Sequence, residues 1–396
     1  MIAPARRAAF EVVGRVFAEG AYADRALARA CVGLDPRDRG LAQRIAYGTV
    51  QRMRTIDHGI ETLGRLPVAR LDGPVLAALR IAGYEFGWSE AAAHAVANDA
   101  VELVRRAGLE RATGFTNAVV RRLAEGFREL VAALPEGPLK HSYPDWIFEV
   151  WVRDFGRAEA LALMRAQNEP SELVVRSSQP VGEATDIPGA YRVARLDAVA
   201  VSEGRIWPQS RASQLAALVV GSCEGERVLD ACAAPGGKAT MLRGAVTAVE
   251  LHAGRARELA ENVRRLGASN VRVVNADVRS LAEGGFDRAL VDAPCSGLGV
   301  LGRRPDLRWR SRPLPELQLE LLLAAAERTR PGGTLVYSVC TLNADENEAI
   351  VEASGLAVEA LGPEWPQFAH PRTPAFLLTN PHRHGTSGFF IARLVV

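Results

Sequence analysis

Lysine is nearly missing from this chain. Of 396 residues and 48 lysines and arginines, only Lys140 and Lys238 are lysine, so arginine carries almost all the positive charge. Surplus charge is missing too: 46 acidic residues leave a formal net charge of +2. That balance excludes a chain that holds nucleic acid by bulk charge, and any RNA contact must come from local patches. No apolar run approaches the roughly eighteen residues of a membrane span, so no membrane partner is expected. The N-terminus contains arginines but lacks the apolar segment and cleavage site of a signal peptide, which predicts a cytoplasmic protein. Cysteine is scarce. Cys31, Cys223, Cys232, Cys295 and Cys340 are odd in number and far apart. Neither a disulfide framework nor a zinc-ligand spacing is visible, and no metal is expected. Free thiols in a reducing compartment leave room for a catalytic one.

What is present is apolar and periodic. Hydrophobic residues make up 48% of the chain, and its length predicts two or three domains with ample cores. From about residue 5 to 127, Ala, Leu, Val and Arg recur at i, i+3 and i+4. The predicted helices are 5–19, 22–30, 36–53, 55–63, 73–86, 92–106 and 113–125, with no strand-like run between them. Residues 1–133 therefore read as an all-α bundle. Residues 134–138 read as a linker. A further helical piece runs to about residue 168, and short alternating runs follow at 173–176, 191–196 and 199–201. Residues 140–205 read as a small α+β insert.

From about residue 206 to 396 the pattern is β/α. Strands are predicted at 227–231, 246–251, 271–275, 289–292 and 334–338, and a closing, antiparallel one at 389–395. Helices are predicted at 238–243, 253–266, 314–330 and 345–353. Such alternation gives a Rossmann-like parallel sheet with helices on both faces. Its ligands sit beyond the carboxyl ends of strands, where strand order reverses. Asp230, Glu250, Asp277, Asp292 and Cys340 all fall at such ends.

The densest stretch is Asp230-Ala231-Cys232-Ala233-Ala234-Pro235-Gly236-Gly237-Lys238. A strand feeds a Pro-Gly-Gly turn, and glycines there let the backbone approach a ligand while the helix start offers free N–H groups. On its own, a double glycine after proline can equally be a plain turn. Lys238 is one of two lysines in an arginine-rich chain, a compact charge with a shiftable pKa. Glu250 ends the second strand and can accept from both ribose hydroxyls of a nucleoside ligand; it can also be a surface acid that opens the next helix. Asp277 can be an ordinary helix N-cap, and Asp292 a turn residue before Pro294. Arg303, Arg304, Arg308, Arg310 and Arg312 surround Trp309. Arginines with an aromatic suit a phosphate backbone and a splayed base, although a charge run is usually a solvated loop.

Three stretches carry a family resemblance. The nonamer, Asp292-Ala293-Pro294-Cys295-Ser296-Gly297 and Tyr337-Ser338-Val339-Cys340-Thr341 resemble, in order, the first motif and the two cysteine motifs of the RNA 5-methylcytosine methyltransferases, the NOL1/NOP2/sun family of RsmB/Sun type. Arg37-Asp38-Arg39, Leu79-Arg80-Ile81-Ala82-Gly83-Tyr84 and Phe115-Thr116-Asn117-Ala118-Val119-Val120-Arg121 resemble the NusB-like RNA-binding domain fused to one branch of that family.

The resemblance implies a multidomain chain: an all-α NusB-like bundle, a small α+β insert and an α/β methyltransferase domain. It implies S-adenosyl-L-methionine as cofactor, held by Cys232, Ala233, Ala234, Pro235, Gly236, Gly237, Lys238, Glu250, Asp277 and Asp292. Asp277 would lie near the adenine amino group. Asp292 would meet the cytosine, and Lys238 belongs with it in the catalytic set. Cys340 would add to carbon 6 of the base, and Cys295 would assist release. Spacing alone does not say which thiol attacks. The implied partner is RNA, 16S rRNA first and transfer RNA as the alternative, and the implied state is a monomer. In DNA cytosine methyltransferases the Pro-Cys cysteine attacks instead, and a non-catalytic RNA-binding factor could keep the same fold. Val339 stands where the family has a hydroxyl residue, and Ser210 and Ser387 replace common acids.

Overall fold

A computed structural model describes residues 2–396, and the chain divides into two compact units. The first runs to Glu169 and also takes in Leu301–Arg310; the second is Pro170–Val300 with Ser311–Val396.

The first unit is helical, as the periodicity predicts. Its longer helices are Pro4–Ala18, Ala23–Ala30, Pro36–Gln51, Met53–Gly64, Gly73–Trp88, Ala93–Arg106, Thr113–Ala133, Asp145–Phe155 and Arg157–Ala166. Gly73–Trp88 is the axis of the bundle, buried without a break from Ala77 to Phe86. Helices come close to it where glycine permits: a Cβ on Gly48 would lie 2.1 Å from the Tyr84 ring. Charge inside the bundle is paired. Arg6 bonds Glu85 at 2.7 Å and Asp99 at 2.8 Å, and Arg80 bonds Asp57 at 2.7 Å. Leu79, Arg80 and Tyr84, read in the sequence as a binding-domain motif, are thus interior residues. Arg37 and Arg39 behave differently. Asp35 caps their helix by accepting from the Arg37 and Asp38 amides, and both arginines stay exposed.

The arginine run after Cys295 needs a correction. Arg308 and Trp309 are not a free RNA platform. Arg308 is 1% exposed and donates to the carbonyls of Gln51 at 3.0 Å, Ser142 at 3.2 Å and Gln167 at 3.2 Å. Its guanidinium stacks 3.8 Å from the Tyr143 ring centre, and burial pushes its pKa down to about 10. Trp309 Nε1 donates to the Val50 carbonyl at 2.7 Å. Arg304 and Arg310 lie against the Tyr22 ring. Carbonyls at fixed positions suit a planar fork of donors better than an ammonium. Arg308→Lys is therefore expected to lower stability by about 1–2 kcal/mol, measured by chemical denaturation of the full chain. An unchanged midpoint would mean that the carbonyl cage contributes nothing.

The second unit holds two sheets. The small one has order β2-β3-β1-β4, with β1 Val174–Arg176, β2 Glu183–Ala184, β3 Ala190–Arg192 and β4 Trp207–Pro208. Residues 199–201, expected as a strand, are helical instead. Asp197 accepts from the Val199 and Ala200 amides at 3.0 Å each and starts the turn Ala198–Ser202. A side-chain cap here outweighs the β preference of two valines.

The large sheet contains β5 Arg227–Asp230, β6 Ala245–Val249, β7 Val271–Val274, β8 Phe286–Asp292, β9 Thr329–Val339, β10 Ala357–Glu359, β11 Leu377–Thr379 and β12 Phe389–Val395. Its order is β10-β12-β9-β8-β5-β6-β7, with β11 paired to β12. Strands β5 to β9 are mutually parallel, and β12 closes the sheet antiparallel to β9. Chain order reverses between β5 and β8, the place at which sheets of this kind bind their ligands. The helix predicted at 238–243 shrinks to the 3-10 turn Ala239–Met241.

Candidate active site

The crevice is built by the segments that leave the carboxyl ends of β5, β6, β7, β8 and β9. After β5 the loop from Cys232 to Lys238 folds back on its neighbours. Ala233 donates to the Val249 carbonyl at 2.9 Å, and Asn262 reaches the Pro235 carbonyl at 2.8 Å. Arg255 holds the Ala234 carbonyl at 2.8 Å, and Arg176, from the small sheet, holds the Gly237 carbonyl at 2.7 Å. Gly236 has φ +105°, a conformation that favours glycine, and a Cβ there would lie 2.8 Å from Leu259. The loop is thus clamped from both sides before any ligand arrives. Cys232 is half-buried, and desolvation first, then the Asp230 charge, pushes its thiol well up. A neutral thiol of this kind is a packing group, not a nucleophile.

Asp230 carries more than the sequence suggested. It is 1% exposed, and neither carboxylate oxygen has a well-formed hydrogen bond. Burial, then the neighbouring Asp292 charge, pushes its pKa up to about 7. A buried polar group left short of partners is costly unless a ligand or water completes it. Glu250, after β6, is 4% exposed; its Oε1 accepts from the His252 amide at 2.9 Å, and Arg255 Nε stands 3.6 Å from Oε2. Each carboxylate oxygen has more than one lone pair, so acceptor capacity remains for ligand hydroxyls. Asp277, after β7, caps the turn Val278–Ser280, and Arg279 grips both its oxygens. Those hydrogen bonds hold its carboxyl below the usual range.

Asp292 ends β8. Lys238 Nζ donates to its Oδ2 at 2.6 Å, and Ser338 Oγ donates to its Oδ1 at 2.7 Å. Two donors fix the plane of this carboxylate while it stays partly exposed. Beyond it the two cysteine loops meet. Cys295 Sγ and Cys340 Sγ are 3.4 Å apart, both free thiols and both partly buried. The hydrogen bond with Cys340, and then burial, raises the Cys295 pKa well above a free thiol's. Sequence reading put each of these residues at a strand end; the fold brings the two sulfurs into contact.

The residue that sequence reading missed is Glu346. It is fully buried, and five donors from the surrounding elements converge on it. Its only sequence signal is an acid near the start of a predicted helix.

A parallel sheet of this order, with a glycine-rich loop after the central strand and acids after the next two, defines a Rossmann-like S-adenosylmethionine-dependent methyltransferase. Residues 217–395 match the family described as 16S rRNA methyltransferase RsmB/F, and residues 3–125 match the NusB family. The chain is 36% identical to ribosomal RNA small subunit methyltransferase B of Thermus thermophilus, over 94% of this chain and 92% of that one. It is 30% identical to the probable ribosomal RNA small subunit methyltransferase B of Synechocystis sp., over 98% and 99%. The crystal structure of PH0851 shares the fold at a TM-score of 0.84 and 24% identity, over 100% of this chain and 99% of that one. The chain belongs to the RsmB/F family of rRNA methyltransferases and carries a NusB domain ahead of the methyltransferase domain.

Proposed function

We propose that the protein methylates carbon 5 of a cytosine in 16S rRNA through a covalent cysteine adduct. The observation that carries this reading is the 3.4 Å contact between Cys295 and Cys340 beside the Asp292 carboxylate. A methyl transfer to nitrogen or oxygen needs no thiol pair; carbon 5 of cytosine is a poor nucleophile until a thiolate adds to carbon 6.

S-adenosylmethionine, when bound, supplies an electrophilic methyl group. The chain's own groups suit it: the clamped loop from Cys232 to Gly237, the underbonded Asp230 and the acceptor Glu250. Asp277, already held by Arg279, can contribute its remaining lone pairs near the adenine. Asp292 accepts from the cytosine amino group, or donates to the ring nitrogen when protonated. Lys238 and Ser338 hold both its oxygens as acceptors and fix its plane.

In this reading Cys340 Sγ bonds to carbon 6, and the ring double-bond pair moves to carbon 5. Once carbon 5 is methylated it loses its proton to a base. The pair re-forms the double bond, and the carbon 6–sulfur bond breaks. Cys295, whose proton is held tightly, sits where it can hydrogen-bond the attacking thiolate and assist release. The base must leave its stack to reach this crevice. Incubation with labelled methyl donor and 16S rRNA, followed by nucleoside mass spectrometry, tests the product. Label in another nucleoside rejects cytosine chemistry, and label in transfer RNA alone redirects the substrate.

The helical unit is proposed to hold RNA through its exposed arginines, since its buried ones are committed to the fold. Replacing Arg37 and Arg39 together by Ala is expected to weaken RNA binding roughly two- to fivefold and to flatten its salt dependence by about 0.7–0.9 per lost phosphate contact. Equal affinity and an equal slope would take these residues out of the interface.

A further inference from the structure

Glu346 has no place in the chemistry described so far, yet it lies directly behind it. Its carboxylate is 0% exposed, and among the described residues no lysine or arginine bonds to it. Instead Oε1 accepts from the Ser296 amide at 2.9 Å, Gln318 Nε2 at 2.9 Å and the Leu314 amide at 3.2 Å. Oε2 accepts from Ser296 Oγ and from Asn343 Nδ2, the latter at 3.2 Å. An ionised carboxylate satisfied by neutral donors is stable only where the donors are fixed in place.

Three of those donors belong to the two cysteine loops. The Ser296 amide and hydroxyl follow Cys295, and the Asn343 side chain follows Cys340. Ser296 Oγ is shared: besides Glu346 it meets Thr341 Oγ1 at 2.7 Å. The Cys340 carbonyl accepts from the Gly299 amide at 3.0 Å, which ties the loops a second time. Glu346 itself is anchored to β9, because Tyr337 donates to its backbone carbonyl at 2.7 Å. One side chain thus spans both loops close to the two thiols.

We propose that Glu346 is the positioning residue that sets the separation and orientation of Cys295 and Cys340. The proposal rests on the covalent-cysteine reading of the site. The bond with Cys340 and burial raise the Cys295 thiol, and the nearby Glu346 carboxylate acts in the same direction. A carboxylate is required for this and an amide is not equivalent. Gln at this position would direct its NH2 group at one set of donors and leave them unsatisfied.

The test is Glu346→Gln in the full chain, with Ser296→Ala as a milder second variant that removes only the hydroxyl bridge. Methyl transfer to RNA is measured alongside alkylation of Cys295 and Cys340 by iodoacetamide across pH, quantified by peptide mass spectrometry without RNA or cofactor. For Glu346→Gln, kcat is expected to fall at least tenfold with the KM for cofactor and for RNA within about twofold, and Cys295 should alkylate at lower pH. Ser296→Ala should move both in the same direction by less. If Glu346→Gln does not fold, Ser296→Ala alone decides: an unchanged kcat and alkylation profile overturns the proposal. So does a Glu346→Gln protein with unchanged kcat, or one whose loss is confined to KM. The covalent reading fails separately, by full activity of Cys340→Ala, and the alkylation shift would still report what Glu346 does to the thiol.

Discussion

Cys295→Ala, incubated with S-adenosylmethionine and RNA, is expected to leave a slow-migrating protein–RNA band on a denaturing gel, and Cys340→Ala to leave none. The two cysteines lie beyond adjacent parallel strands, β8 and β9, so both loops open on the same edge of the sheet. Their sulfurs touch at 3.4 Å, and either could reach one flipped base. The resemblance to the RNA 5-methylcytosine methyltransferases implies attack by Cys340 and release by Cys295. The thiol that attacks must give up its proton, and the one whose proton is held is suited to assist elimination. Cys295 has its pKa raised, first by the bond to Cys340 and then by burial. Without Cys340 no sulfur adds to carbon 6, and methyl transfer should fall below detection. Without Cys295, addition and methylation proceed but release stalls, and the adduct accumulates. A band from Cys340→Ala and none from Cys295→Ala would assign attack to Cys295. Full turnover by both variants would reject thiol catalysis.

Glu250→Ala is expected to weaken S-adenosylmethionine binding about ten- to a hundredfold, since hydrogen bonds to a buried charged group contribute about 1.5–3 kcal/mol. The carboxylate is 4% exposed just after β6, one strand from the glycine-rich loop. Its Oε1 is oriented by the His252 amide, and the Asn275 side chain donates to its backbone carbonyl at 2.8 Å, so the group is held before a ligand binds. Preorganisation of this kind turns hydrogen bonds into affinity with little ordering cost. Titration calorimetry measures the change directly, and an unaltered Kd would take Glu250 out of the site. Glu250→Asp should recover part of the loss, because it keeps the charge but shortens the reach by one methylene.

Much of this molecule was legible in one dimension. Seven helical segments and the parallel strands follow from periodicity, because core-facing residues must recur at 3.6 in a helix and run together in a strand buried on both faces. The Pro-Gly-Gly loop, the acid twenty residues after Asp230 and the two cysteine motifs could be placed at strand ends, because turn chemistry and strand ends are local properties, while methyl transfer came from the family resemblance those motifs carry. Other features needed the folded chain. Residues 199–201 have strand-like composition, yet a single capping aspartate makes them helical. Arg308 and Trp309 read as a surface for RNA, and only the carbonyls of residues 50, 51, 142 and 167 reveal that Arg308 is interior and Trp309 half-buried against the same bundle. Asp230 reads as the last residue of a strand, and its raised pKa arises only when the sheet buries it and β8 brings Asp292 near. The sulfur–sulfur contact and the carboxylate of Glu346 behind it belong to this second class. Sequence alone determined which elements form and which reactive side chains stand at their ends, since backbone periodicity and turn residues are encoded locally. Tertiary structure alone decided which of those side chains meet, which are buried and which keep their protons, since distance, desolvation and neighbouring charge arise only when β5, β8 and β9 pack side by side.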